Sequence, residues 1–341
     1  MWARVLAGGF LLAQMPSLSD YYIPPSSQVP VKIISGSGSK ELAHEVSGYL
    51  GIQLARVGLS NFADGESSIK IIDNVAGRDV FVIQSLCQPI QDNLMELILM
   101  LETLKSSNCR KVIAIVPYMA YARQDIPEKV KPGIPSAEIS MLLEAVGLDA
   151  VVCVDYHGEQ AKGFFNVPVT EIKPYSVAVE YLKSKNLKKP VIISPDIRGF
   201  KRAYAFYEIM NEEGIDCDIA LMNHGGTSMS YINKHRRNEY VGDVLTGRDI
   251  VIVDDMIITG SRLMNALENL RKRDAERIFM YATHGNFTNE AIKKIEKSSL
   301  TELIITNTIP LKQNSYKIVS LSLGKVIADV ILEVVTHSEL N

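Results

Sequence analysis

Two adjacent acids, Asp254 and Asp255, sit in the stretch Val-Ile-Val-Asp-Asp-Met-Ile-Ile-Thr-Gly-Ser-Arg-Leu at 251–263. A short β-branched apolar run from Ile250 leads into them, and Thr259, Gly260 and Ser261 follow before an apolar periodicity at Leu263, Leu267 and Leu270. The pattern predicts a strand buried on both faces that stops at the acids, then a small-residue loop, then an amphipathic helix. Main-chain N–H groups at a helix start bind anions, and small residues let a phosphate approach the backbone. Carboxylates just before such a loop accept hydrogen bonds from sugar hydroxyls or help hold a metal. Two acids after a strand also simply cap helices, so the pair does not decide the matter by itself.

Other chemistry-bearing residues sit at comparable places. Asn61–Glu66 reads Asn-Phe-Ala-Asp-Gly-Glu, a turn between two short strands. An aromatic beside two acids suits a purine, and an Asp-Gly hairpin turn is the plainer reading. The expected strand Lys111–Val116 runs into Tyr121-Ala122-Arg123-Gln124-Asp125, where open α/β sheets bind ligands. Arginine's rigid donor fork suits phosphate there. Val151–Val154 leads to Asp155-Tyr156-His157-Gly158, in which the histidine is either a hydrogen-bonded structural residue or part of a metal or phosphate site.

Positioning these groups requires strands alternating with helices. Strands are expected at Val31–Ser35, Asp79–Ser85, Val191–Ser194, Asp218–Met222, Ile278–Ala282 and Leu303–Thr306. Helices are expected at Lys40–Leu50, after a cap at Asp92 with Leu94, Leu97, Ile98, Leu101 and Leu104 inward, and at Ser136–Val146 with Ile139, Leu142, Leu143 and Val146 inward. A C-terminal helix, Leu323–Val335, is expected to cross back onto the first half. Strand and helix alternating twice over predicts an α/β protein of two mostly parallel-sheet domains, 31–173 and 174–341, with the boundary near Glu171–Pro174. Met1–Pro30 reads as a disordered or leader-like extension.

Composition bounds the rest. The chain has 341 residues, long enough for two domains of average size, and 47% are apolar. Lysine and arginine total 36 against 39 acids, so the basic balance of a nucleic-acid binder is absent. The four cysteines are scattered, which suits free thiols in a reducing cytoplasm. The apolar run near the N-terminus is too short to span a membrane.

From Lys32 to about Thr336 the chain resembles the ribose-phosphate pyrophosphokinases, the phosphoribosyl diphosphate (PRPP) synthetases. The resemblance is carried by Asn61–Glu66, Asp92–Leu97, Tyr121–Asp125, Asp155–Phe165, Ser194–Asp196, Val251–Met256 and Tyr281–Gly285. It implies two tandem phosphoribosyltransferase-like (type I) domains. It also implies transfer of the diphosphoryl group of ATP to ribose 5-phosphate with Mg²⁺, and assembly into hexamers. By position, Phe62, Asp64 and Glu66 resemble the family's adenine-binding turn, and Arg123 and Gln124 its ATP contacts. His157 and Asp196 match its magnesium ligands. Asp254 and Asp255 match its ribose-binding acids, and Thr259 and Gly260, with Ser261 and Arg262 beside them, its 5-phosphate cradle.

Departures fall where transfer chemistry is done. The family's lysine and arginine after the Asp218–Met222 strand are His224 and Gly226 here. Its cradle acid is Ile258, its cradle Ser/Thr is Arg262, Arg198 replaces a glycine, and the usual arginine after Asp125 is Ile126. Lys234-His235-Arg236-Arg237 repeats the Lys-x-Arg spacing about ten residues late, so Lys234 and Arg236 join His224 as catalytic candidates; a solvated basic loop is the alternative. Two functional readings follow: a PRPP synthetase with displaced cations, or a catalytically weak regulatory subunit that joins active PRPP synthetase subunits in a hetero-oligomer. Neither involves nucleic acid or membrane.

Overall fold

The structure is a computed structural model and describes residues 31–127, 133–223 and 239–339. The catalytic candidates His224, Lys234 and Arg236, and the extension Met1–Pro30, lie outside the described residues.

Two sheets carry the chain. The first is built from β1 (Val31–Ser35), β4 (Asp79–Ile83), β5 (Lys111–Val116), β6 (Ala150–Val154) and β7 (Val169–Ile172), adjacent in that order and all parallel. A separate antiparallel hairpin, β2 (Val57–Asn61) and β3 (Ser67–Ile71), interrupts it in sequence. The second sheet contains β8 (Val191–Ser194), β9 (Asp218–Asn223), β10 (Glu239–Val241), β11 (Ile250–Ile257), β12 (Ile278–Gly285), β13 (Glu302–Thr306) and β14 (Ile318–Leu321). Its order is β10-β9-β8-β11-β12-β13-β14, with only the β10 edge antiparallel.

Alternation explains why these runs are strands. On the second sheet, Val191, Ile193, Ile250, Ile252, Met280, Leu303 and Ile305 pack on one face. Their neighbours Ile192, Val251, Val253, Phe279, Tyr281 and Ile304 pack on the other. Successive side chains of a strand point to opposite faces, so an unbroken apolar run is needed where both faces are covered. The order of the second sheet also reverses between β8 and β11. A crevice opens at the carboxyl ends of strands at such a switch point, and that is where doubly wound folds take their ligands.

The structure corrects three expectations. β11 does not stop at the acids: it continues to Ile257, with Asp254 opposite Ala282 and Met256 opposite His284. An eight-residue partner, β12, supplies the ladder that holds this extra length. The helix α2 (Ile90–Ser106) begins before Asp92, with Pro89 at its cap position, so Asp92 lies in the first turn rather than capping it. In α3 (Pro135–Ala145), Leu143 is fully buried whereas Leu142 is 49% exposed. A period of 3.6 cannot put two successive residues on one narrow stripe. The helix α8 (Gly324–Glu339) packs on α1 (Lys40–Leu50), and Glu45 of α1 accepts from Asn307 at 2.8 Å. No helix among the described residues is long and apolar enough to cross a membrane.

Candidate functional site

At the carboxyl end of β11 the two acids are almost wholly enclosed, Asp254 at 6% and Asp255 at 2% exposure. Such carboxylates persist only if partners replace water. Asp255 has them: His157 Nδ1 donates to its Oδ2, and Arg202 Nη2 lies 4.0 Å from the same oxygen. Burial by itself raises the Asp255 pKa, but the His157 hydrogen bond and the Arg202 charge outweigh it and hold the group well below the usual carboxylate range. Asp254 has the opposite environment. Burial, and then the neighbouring Asp255 charge, push its pKa up, and Arg262 opposes them only in part. Two adjacent acids are thereby held in different states, one an ionised acceptor and the other poised to keep a proton.

Arg202 reaches the pair from α5 (Phe200–Glu212), where its side chain is 12% exposed. Its Nε also lies 3.3 Å from Asp155 Oδ1. Asp155 itself is fully buried and accepts from Tyr175 Oη at 2.9 Å, from Lys173 Nζ at 3.3 Å and from Thr283 Oγ1. His284, also buried, donates from Nε2 to the Asp155 carbonyl at 3.3 Å, and burial depresses its pKa. The end of β6 on the first sheet is therefore tied to β11, β12 and α5 of the second. Asp155, marked by sequence only as a neighbour of His157, is the centre of this network.

Asp196 follows β8, across the switch point from β11. Its Oδ1 accepts from the Gly199 N–H at 2.9 Å, and its Oδ2 faces Arg262 Nη1 at 3.3 Å. The same Arg262 nitrogen is 3.9 Å from Asp254 Oδ2. Between them lies the loop into α6 (Ser261–Arg271). Gly260 there takes a left-handed φ of 71°, which glycine adopts without steric cost, and Thr259 Oγ1 lies 3.2 Å from Ser261 Oγ. Ile258 packs on the core of the first half. Asp254, Asp255, His157, Asp196 and the Thr259–Arg262 loop thus form one cluster.

The remaining candidates lie apart from it. Phe62, Asp64 and Glu66 occupy the tip of the β2–β3 hairpin, closed by Phe62 N–H to Glu66 O at 2.8 Å and Glu66 N–H to Asp64 Oδ1 at 3.1 Å. Phe62 is 60% exposed. Arg123 and Gln124 are exposed on the segment after β5, where Tyr121 is left-handed at φ 63°. Among the described residues, no hydrogen bond or ion pair joins Phe62, Asp64, Glu66, Arg123 or Gln124 to the strand-end cluster. Nor does any group of three or more His, Cys, Asp or Glu there have the placement to hold a metal. Arg202 was not recognised in the sequence: as the third residue of a helix, after Lys201, its spacing carries no signal that it turns inward.

Comparison with known proteins bears on the family and the fold. Residues 31–147 match the N-terminal domain of ribose phosphate pyrophosphokinase, and residues 221–340 match the phosphoribosyl synthetase-associated domain. The ribose-phosphate pyrophosphokinase of Wolinella succinogenes is 38% identical over 312 residues, covering 91% of this chain and 97% of the relative. That of Vibrio cholerae is 38% identical over 315 residues, covering 91% and 98%. The crystal structure of phosphoribosylpyrophosphate synthetase from Mycobacterium smegmatis superposes with a TM-score of 0.82 at 29% identity, over 90% of this chain and 99% of that one. With a matching fold and relatives at this identity over nine-tenths of its length, the chain belongs to the ribose-phosphate pyrophosphokinase family.

Proposed function

We propose that this chain transfers the diphosphoryl group of ATP to O1 of ribose 5-phosphate, giving PRPP and AMP. The observation that carries the reading is the split acid pair at the switch point, with Asp255 held ionised by His157 of the first half and Arg202 of the second. An ionised acceptor beside a protonated neighbour suits a vicinal diol, one hydroxyl donating to Asp255 and another accepting from Asp254. The Thr259–Ser261 backbone at the start of α6 receives the 5-phosphate. Phe62 stacks on the adenine while Asp64 and Glu66 take its exocyclic amine, and Arg123 and Gln124 meet the triphosphate.

The O1 hydroxyl, so oriented, forms the new bond to the β-phosphorus and gives up its proton to water as the bond from that phosphorus to the bridging α-phosphate oxygen breaks, and AMP leaves with the electron pair. In such transfers the protein's share is positioning and charge stabilisation. When bound, Mg²⁺ would supply positive charge against the phosphate oxygens. Asp196 and His157 are the side chains that would hold it. Lys234 and Arg236 supply the positive charge that His224 and Gly226 do not.

The test is AMP release from ATP and ribose 5-phosphate with Mg²⁺ by the purified chain, beside a Lys234→Ala/Arg236→Ala variant. Turnover that collapses in the variant supports the reading. Absence of AMP with ATP still bound overturns turnover by the chain alone and redirects the search to a hetero-oligomer with active subunits. Native mass spectrometry separates that assembly from a homohexamer.

A further inference from the structure

Asp155 follows β6 in a left-handed conformation, φ 41°, which a residue other than glycine keeps only where its surroundings fix it. Here every polar atom of the residue is held. Its N–H donates to the Ile172 carbonyl at 2.9 Å, and its own carbonyl accepts from His284 Nε2 at 3.3 Å. Oδ1 accepts from Tyr175 Oη at 2.9 Å and from Lys173 Nζ and Arg202 Nε, each at 3.3 Å, and Oδ2 accepts from Thr283 Oγ1. The residue is fully enclosed, so no ligand of the crevice touches it. Yet both groups that grip Asp255 take their place from it. His157 stands two positions on, beyond the left-handed turn, and its Nδ1 donates to Asp255 Oδ2. Arg202, held at Nε by Asp155, presents Nη2 at 4.0 Å to the same oxygen.

We propose that Asp155 is a positioning residue for the sugar: it aims His157 through its backbone and Arg202 through its carboxylate, and so fixes the orientation in which Asp255 meets the diol. A carboxylate that accepts from a sugar hydroxyl loses much of its value when it is displaced by a fraction of a hydrogen-bond length. Asp155 thereby acts on ribose 5-phosphate without touching it, and its donors Thr283 and Tyr175 act through it in turn. Among the described residues, no hydrogen bond or ion pair joins the hairpin tip at Phe62 to this network, so the grip on the adenine lies outside its reach. The inference rests on ribose 5-phosphate binding at Asp255, as set out under the proposed function.

The test is calorimetric titration of the full chain with ribose 5-phosphate, in Mg²⁺ and saturating α,β-methylene-ATP, whose α–β bridge does not cleave. Wild type, Asp155→Asn, Thr283→Val, Tyr175→Phe and Asp155→Asn/Thr283→Val are compared, with circular dichroism to establish that each is folded. Asparagine tolerates the left-handed conformation as aspartate does and lacks the charge. Asp155→Asn should weaken sugar binding about tenfold or more. Thr283→Val and Tyr175→Phe should each weaken it by less, and the double variant should lose no more than Asp155→Asn alone. The two single-donor variants carry the test if Asp155→Asn does not fold. The analogue's own affinity, titrated without divalent ion so that His157 enters only as the partner of Asp255, should be unchanged throughout. Unchanged sugar affinity in these variants, a further loss in the double variant, or a parallel loss of analogue affinity overturns the proposal. Wild type that binds the analogue and takes up no sugar overturns the proposed function, and the inference with it, an outcome distinct from the others.

Discussion

Asp254 and Asp255 have the same side chain and differ by one place on one strand, yet their surroundings drive their protons apart. The folded chain keeps a proton on Asp254 from the ordinary carboxylate value of about 3.9 upward, to about 8, while the unfolded chain loses it near the lower value. Over that window the folded state binds more protons, so stability falls as pH rises. Asp254→Asn removes this titration. Thermal unfolding between about pH 5 and about pH 8 should show the wild-type midpoint declining relative to the variant, and parallel curves would contradict the assignment. Phe62 makes a second prediction at this scale. Its ring is 60% exposed and supports no core, so Phe62→Ala should leave the melting temperature unchanged. Loss of a base stack of about 1–3 kcal/mol should weaken ATP binding roughly tenfold or more, read by calorimetry. Unchanged affinity would return Asn61–Glu66 to a plain hairpin turn.

Among the elements, strands with unbroken apolar runs were legible because nothing but a covered sheet hides Val191–Ser194 or Ile250–Val253 on both faces. Lys40–Leu50 and Lys111–Val116 fall where their patterns put them. The misread places are those where a neighbour sets the limit. β12 extends β11 through the acids, and the stretch before Asp92 folds into the first turn of α2. Helix α3 offers a direct check of facing. Leu143→Ala should cost about 2–5 kcal/mol in urea unfolding, since the side chain is fully enclosed. Leu142→Ala, half exposed next to it, should stay within about 0.5 kcal/mol. Equal costs would mean Leu142 is covered in the protein in solution, as it would be at a contact with another subunit.

For the molecule as a whole, the buried network around Asp155 joins the two sheets. Asp155 on the first half holds Arg202, Tyr175 and Thr283 of the second, and His157 grips Asp255 across the same boundary. A buried charge left without its partner is expensive, so Arg202→Met should destabilise the chain by about 3–5 kcal/mol. It should also weaken the grip on the ionised state of Asp255, moving the acid limb of any pH–rate profile upward. Loss of stability with an unmoved profile would leave Arg202 a purely structural clamp.

What the sequence determined by itself is local and periodic: runs buried on both faces, amphipathic helices, and small-residue loops after strands, together with the motif order that marks the family. Those signals belong to adjacent residues, so they survive without a fold. What only the tertiary structure decided is which side chains from distant segments meet. Asp155 and Thr283 are 128 positions apart, His157 and Asp255 98, and Asp196 and Arg262 66, and no spacing rule connects them. The reversal of strand order between β8 and β11 brings the last of these pairs to one crevice. The charge state of each acid follows from that meeting, because burial and neighbouring charge are properties of the packed molecule and not of the chain.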